Sequence, residues 1–294
     1  MSGTKSGGEN YRLYPYLGSS YLLKVYSDRS PEQAEKDLAE NRIWLRAFLP
    51  VQRILRTGRT TDGDTYTLSR WISGKTLDTV FPCGSYAEER ELGILSGNLL
   101  KKVHDSLPVR TDLTVQGNLR KRLEHLVSRI GDTAGNEENS PVIIAVNRLR
   151  EEMGLAGDGQ CLRLHGDYHA GNLVLDNRDR LHILDPVYGS SGAAEEDMAR
   201  VLVSAEYSSA FARGQIESYY VGNVPEWFWG LLRYYTLLHL AEAWSFGEGN
   251  GSSGIYKDLL MIIQKQYPQL LSKDDMIFTK EPPLFWRDEY EQHR

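Results

Sequence analysis

Residues 164–186 read LHGDYHAGNLVLDNRDRLHILDP, and the rest of the chain is interpreted from this stretch. Two short apolar runs, Leu173-Val174-Leu175 and Leu181-His182-Ile183-Leu184, flank a polar turn, Asp176-Asn177-Arg178-Asp179-Arg180. Asp and Asn bond to their own backbone in tight turns, so the pattern predicts a β-hairpin. The outer ends of a hairpin lie side by side. Asn172 and Asp185 are therefore expected to meet in space, with Asp167 on the loop above them. Two oxygen donors beside a further carboxylate suit a hard cation such as Mg²⁺, which takes oxygen ligands and shares them with phosphate. A lone Asp or Asn here would more simply satisfy loop backbone. The whole set together points to chemistry.

Bulk properties narrow the setting. At 294 residues the chain is long enough to divide into two lobes. Its formal charge of −6 offers no basic footprint, so a nucleic-acid partner is not expected. Cys83 and Cys161 stand far apart in no ligand-like spacing, which argues against a disulfide framework or a cysteine-based zinc site. A reducing, cytoplasmic compartment is the expectation. The N-terminus lacks the apolar run of a secretory signal. Trp227–Trp244 is the most apolar stretch, but Arg233, His239 and Glu242 interrupt it. A buried helix and no membrane contact are expected there.

Strand-like runs at Tyr11–Tyr16 and Tyr21–Tyr26 are split by Gly18-Ser19-Ser20. Ser30, Pro31 and Gln33 form a helix start, and Ala34, Leu38, Leu45 and Leu49 continue it at helical spacing up to Pro50. Strands are expected at Val51–Arg56 and Tyr66–Trp71, followed by a connection at Ser73-Gly74-Lys75. Beyond it the pattern is mostly helical: Tyr86–His104, Asn118–Ile130, Pro141–Glu152, Glu195–Tyr207, Phe211–Tyr220, Glu226–Phe246 and Tyr256–Gln264. Gly189–Ala193 reads as a flexible connection.

Several side chains are candidates for chemistry. Asp167 is placed to orient a hydroxyl and accept its proton. Asn172 offers a metal an amide oxygen, and Asp185 would bridge the metal to phosphates. Lys24 sits in an apolar strand and needs a partner if it points inward. Glu32, Glu35 and Glu40 are all available, and helical spacing alone does not choose among them. Gly7-Gly8 or Gly18 would let a backbone turn approach phosphate. His165, Asp167 and His169 do not present three ligands to one zinc ion. His165 reads as loop support, His169 as exposed or touching substrate, and His104 as a packed core histidine.

These residues resemble the signatures of the aminoglycoside phosphotransferase and choline kinase family, which is related to the protein kinases. His165-Gly166-Asp167-Tyr168-His169-Ala170-Gly171-Asn172 looks like its HGDxxxxN motif. Ile183-Leu184-Asp185 is similar to its second metal-binding aspartate, and Asp197-Met198-Ala199 to the segment whose Asp supports the catalytic loop. Leu23-Lys24-Val25 resembles its phosphate-binding lysine strand. Glu40, sixteen residues after Lys24, stands in the family's helix context and becomes the favoured partner. Gly8 and Asn10 would belong to the nucleotide loop. Ser69, Arg70, Trp71 and Ile72 would be the hinge that reads adenine through its backbone. Pro186-Val187 after Asp185 departs from the family's usual aromatic residue or Phe-Gly.

The resemblance implies a two-lobed, protein-kinase-like α+β fold. Residues 1–72 would form a small nucleotide-binding lobe, an antiparallel sheet with one main helix. Residues 73–294 would form a larger, mostly helical lobe carrying the catalytic loop and acceptor site. It implies transfer of the γ-phosphate of ATP (or GTP), with Mg²⁺, to a small-molecule hydroxyl, by a monomer or homodimer. An aminoglycoside or similar amino-bearing antibiotic is the first expected acceptor, with a role in antibiotic resistance. Glu195, Glu196, Glu206 and Glu242 are candidates to meet its ammonium groups. A small metabolite such as an amino alcohol, amino acid or sugar is the alternative. A metallophosphoesterase is disfavoured, because its further metal motifs are missing. A non-catalytic nucleotide-binding protein is disfavoured by the presence of Lys24, Asp167 and Asp185 together.

Overall fold

The structure is a computed structural model that describes residues 8–15, 18–81, 84–133, 140–245, 254–272 and 281–287. The chain folds as a two-lobed α+β protein. Strands β1 (Gly8–Leu13) and β2 (Tyr21–Tyr26) form an antiparallel hairpin. Helix α1 (Pro31–Arg46) follows, then β3 (Ile54–Arg59) and β4 (Thr65–Arg70). The sheet order is β1-β2-β4-β3, so β2, which carries Lys24, is an interior strand.

Helix α1 starts where the sequence predicts. The Ser30 hydroxyl accepts the Gln33 N–H at 3.2 Å, and Pro31 occupies the first turn. Its buried face, however, is Ala34, Asp37, Asn41 and Trp44, a stripe with two polar members. Leu38 and Leu45 are only half-buried. Hydrophobic periodicity misses such a face because its polar members are buried by bonding. The Asn41 amide donates to Gln52 O at 2.8 Å and to the Tyr188 hydroxyl at 2.6 Å, while its oxygen accepts the Ile54 N–H at 3.0 Å.

The expected strand at Val51–Arg56 begins later, at Ile54, for a related reason. Val51 bridges to Ile183, and Gln52 N–H donates to Ile183 O at 2.9 Å. Those first residues thus tie α1 to the large lobe. Gly8 and Asn10, expected in a phosphate loop, are instead ladder residues of β1, opposite Tyr26 and Lys24. Gly7 and Cys83 lie outside the described residues, and Cys161 is a buried free thiol.

The large lobe begins with β5 (Gly74–Thr76) and α2 (Leu77–Val80), then α3 (Tyr86–Ser106), β6 (Arg110–Thr114), α4 (Val115–Thr133) and α5 (Pro141–Glu151). Strands β7 (Gln160–Arg163), β8 (Leu173–Asp176), β9 (Leu181–Ile183) and β10 (Ser191–Gly192) follow. Helices α6 (Ala194–Met198), α7 (Val201–Ala205), α8 (Ser209–Tyr219), α9 (Trp227–Ser245) and α10 (Gly254–Gln266) complete the described strands and α-helices. The expected hairpin is β8–β9, extended by β5. Gly189–Ala193 is not a flexible connection, because β10 pairs with β7 in a second small sheet, β10-β7-β6. The helix expected over Glu195–Tyr207 is broken into α6 and α7.

Helices α3 and α8 cross closely enough for backbones to touch. A Cβ at Gly93 would strike Phe211 O, and one at Gly97 would strike Gln215 O. This crossing supports the core beneath the Leu164–Asn172 loop, where the buried Tyr168 hydroxyl donates to Ser96 O at 2.9 Å. Among the described residues, no helix is long and apolar enough to cross a membrane.

Candidate active site

The loop Leu164–Asn172 is held by a buried carboxylate. Asp197, at the end of α6, accepts the N–H groups of His165 and Gly166, each at 2.7 Å, and His104 Nε2–H at 3.0 Å. Three donors converge on a side chain that is 1% exposed. Gly166 turns the chain with φ +81°, a conformation glycine adopts without Cβ strain. His165 then fixes its own neighbours. Leu184 O can only accept, so Nε2 of His165 carries the proton shared with it at 2.9 Å. Nδ1 accepts the Asp167 N–H at 3.1 Å. Burial keeps this imidazole's pKa below its ordinary value.

Asp167 is thereby presented at the loop's apex. The Asn172 amide donates to its carbonyl at 2.9 Å and to its carboxylate at 3.0 Å. Arg200 Nε lies 3.3 Å from Oδ1 and His169 Nε2 lies 3.5 Å from Oδ2. Burial opposes ionisation of Asp167, but the His169 bond and the Arg200 charge outweigh it and hold the carboxyl well below the usual range. It is therefore an anion at neutral pH.

Asn172 and Asp185 come together as the hairpin requires. Leu173 pairs with Ile183, and Leu184 N–H donates to Asn172 O at 2.8 Å. Asp185 has φ +47°, an unusual conformation for a non-glycine residue before proline. Its carboxylate reaches Lys24 of the small lobe at 2.5 Å, with Lys24 only 15% exposed. A cleft of about 480 Å³ surrounds this pair, lined also by Asn10, Arg29, Asp37, Ser69 and Tyr188.

Glu40 does not meet Lys24. Its carboxylate takes Arg163 of β7 at 2.5 and 2.7 Å, joining α1 to the strand that leads into the Leu164–Asn172 loop. Glu40 lies beside the buried stripe, whereas Asp37 lies on it, paired with Arg29. Asp37 is thus the α1 carboxylate that lines the cleft.

In the segment expected to read adenine, Arg70 N–H donates to Arg53 O and Trp71 N–H to Ser20 O, at 2.9 and 3.0 Å. The Gln52 amide donates to Arg70 O at 3.2 Å. These backbone groups are already spent on residues that flank the strands, Arg53 and Ser20, and on the Gln52 side chain. Ser69 lines the cleft, while Arg12 lies over the Trp71 ring at 4.2 Å. Ile72 N–H appears in none of the backbone bonds among the described residues.

A divalent cation fits two of these residues. The Asn172 NH₂ is committed to Asp167, which leaves the amide oxygen as its free donor. The Asp185 carboxylate already holds one cation, the Lys24 ammonium. Among the described residues no three His, Cys, Asp or Glu side chains could hold a metal by themselves. Further oxygens would have to come from water or phosphate.

Sequence reasoning missed Arg200, Arg163, Asn41 and Tyr188. Asn41 carried a signal, since it lies three residues before Trp44. The others carried none, because each acts across elements distant in sequence.

The profile of the phosphotransferase enzyme family (APH) matches residues 4–231. No curated protein matches the chain by sequence. Several solved structures match by shape. A thermostable mutant of aminoglycoside phosphotransferase APH(4)-Ia, in a ternary complex with AMP-PNP and hygromycin B, is 16% identical, with TM-score 0.65 over 87% of this chain and 93% of that one. Spectinomycin phosphotransferase APH(9)-Ia, with ADP and spectinomycin, is 13% identical, with TM-score 0.59 over 91% and 88%. A choline/ethanolamine kinase family protein from Mesorhizobium loti is 16% identical, with TM-score 0.59 over 90% and 91%. At these identities the likeness is one of fold.

Proposed function

The chain belongs to the phosphotransferase enzyme family, and on that premise we propose that it transfers the γ-phosphate of ATP (or GTP) to a hydroxyl of a small molecule, in a cytoplasmic setting. The observation that carries this reading is the meeting of Lys24 and Asp185 across the cleft at 2.5 Å, with the ionised Asp167 tied through Asn172 to the same end of the hairpin. Phosphoryl transfer needs in-line geometry and charge neutralisation more than covalent chemistry. Lys24 would hold the phosphates, which compete with Asp185 for its ammonium. Asn172 and Asp185 would hold Mg²⁺, whose bound charge neutralises the phosphate oxygens. The transition state of such reactions is loose, so the acceptor hydroxyl becomes acidic only late. A carboxylate as weakly basic as Asp167 suits that order. It orients the hydroxyl first and takes the proton as the bond forms.

The sequence put an aminoglycoside or other amino-bearing antibiotic first as acceptor, and two structural neighbours hold such ligands. One observation favours the alternative, a small metabolite. All four candidate carboxylates have protein partners. Glu196 and Glu242 share Arg122 at 2.8 and 2.7 Å. Glu206 pairs with Lys265 at 2.8 Å, and Glu195 accepts from the Tyr220 hydroxyl at 3.4 Å.

The test is Asp167→Asn with Mg-ATP across an acceptor panel, read as ADP release. Turnover is expected to fall by about 10²–10⁴-fold while nucleotide still binds. Retained turnover would remove Asp167 from its role.

A further inference from the structure

Arg200 stands beside the catalytic carboxylate with most of its hydrogen-bonding capacity unspent. Its Nε is buried, makes no hydrogen bond, and touches Asp167 only as an ion pair at 3.3 Å. Yet the side chain is 22% exposed, so the exposed part lies elsewhere along it. Asp167 is its one ion partner among the described residues. A guanidinium carries five donors in a planar fork suited to a carboxylate.

A second element, α9, packs against α6, the helix that ends two residues before Arg200. Tyr235, His239 and Glu242 lie on one stripe of α9, at four- and three-residue spacing. His239 is 5% exposed and hydrogen-bonded to no described residue. Burial, with Arg200 and Arg122 nearby, keeps it neutral, with one ring nitrogen free to donate. The Tyr235 hydroxyl is buried without a partner. The carboxylates of this region are already engaged, as described above. One Glu196 oxygen on α6 is left without a hydrogen bond, but the open valences on Arg200 and His239 are donors.

Resting on the phosphotransfer reading, we propose that Arg200 and His239 form an anion subsite beside Asp167. The acceptor is then a hydroxy acid, with or without an amine. Its own carboxylate docks on the Arg200 guanidinium while its hydroxyl faces Asp167. An ammonium in that position would instead meet like charge.

The test compares matched acceptors with Mg-ATP: glycerate, serine, homoserine and gluconate against their carboxamides, together with hygromycin B and spectinomycin. Binding is measured in parallel by calorimetry, with and without Mg-AMP-PNP. The acids are expected to exceed their amides by about 10–100-fold in kcat/KM, the range of a charged, forked hydrogen bond. Arg200→Gln should erase that preference through the acceptor's KM, and Arg200→Lys should restore part of it. Acids and amides within about threefold of each other, or response to the antibiotics alone, would overturn the subsite and leave phosphotransfer standing. Failure of Mg-AMP-PNP to bind would sink the kinase reading, and the calorimetric arm without nucleotide still reads the subsite. Absence of any acid binding there overturns it. The wild-type comparison decides even if the variants fail to fold.

Discussion

Asp197→Ala should be among the most damaging single changes in this chain outside the cleft. The carboxylate accepts three donors, His165 N–H and Gly166 N–H at 2.7 Å and His104 Nε2–H at 3.0 Å. Truncation leaves all three without their acceptor, two of them on fully or nearly buried residues. Each orphaned donor costs about 1–3 kcal/mol, with water entering the vacated space recovering part of it. A net loss of about 3–5 kcal/mol follows, the scale seen when one partner of a buried charged network is removed. Against a total stability of about 5–15 kcal/mol this is severe. Activity should fall further than stability, because the same bonds fix the loop bearing Asp167, and a displacement of about 1 Å can cost about 10²-fold. Asp197→Asn is no rescue, since its NH₂ would face a donor. Urea unfolding gives the first quantity. ADP release under conditions where the variant is folded gives the second, with nucleotide affinity as the control. A stability loss under about 1 kcal/mol together with turnover within about threefold of wild type would refute the claim that Asp197 carries the loop.

Three further outcomes are expected. Glu40→Gln breaks the Arg163 pair and should cost about 1 kcal/mol, discounted for partial exposure, without weakening nucleotide binding; a tenfold loss of nucleotide affinity would return Glu40 to Lys24. Burial, only partly offset by Arg122, raises Glu196 to about 7, so the folded chain binds that proton more tightly than the unfolded one. The linked stability is full below the ordinary carboxylate value and is lost as pH rises through about 7, and Glu196→Gln should flatten the urea midpoint against pH across that window. Gly97→Val should destabilise by at least about 1–3 kcal/mol, because its Cβ meets Gln215 O, whereas Gly230→Ala, with nothing near its Cβ, should stabilise by about 0.5–1 kcal/mol. Thermal unfolding of the pair checks the sign of each.

The hairpin and its polar ends were legible because they are local. Asp/Asn turn chemistry and short apolar runs place Asn172 and Asp185 at the open end of one ladder, and no distant residue is needed to bring them there. The start of helix α1 was legible for the same reason, through Ser30, Pro31 and Gln33, although the helix ends at Arg46 and not at Leu49. Its facing was not, since Asp37 and Asn41 are buried by partners 4 to 147 residues away. The sequence alone therefore determined the hairpin, the HGDxxxxN-like stretch before it and the class of chemistry, whereas the interior place of the Lys24 strand came from the sheet order. Tertiary structure alone decided the pairings: Glu40 with Arg163, Lys24 with Asp185, Arg200 with Asp167. Charge pairing depends on distances of a few ångströms between elements that the chain brings together only when packed, and spacing along the chain does not encode them.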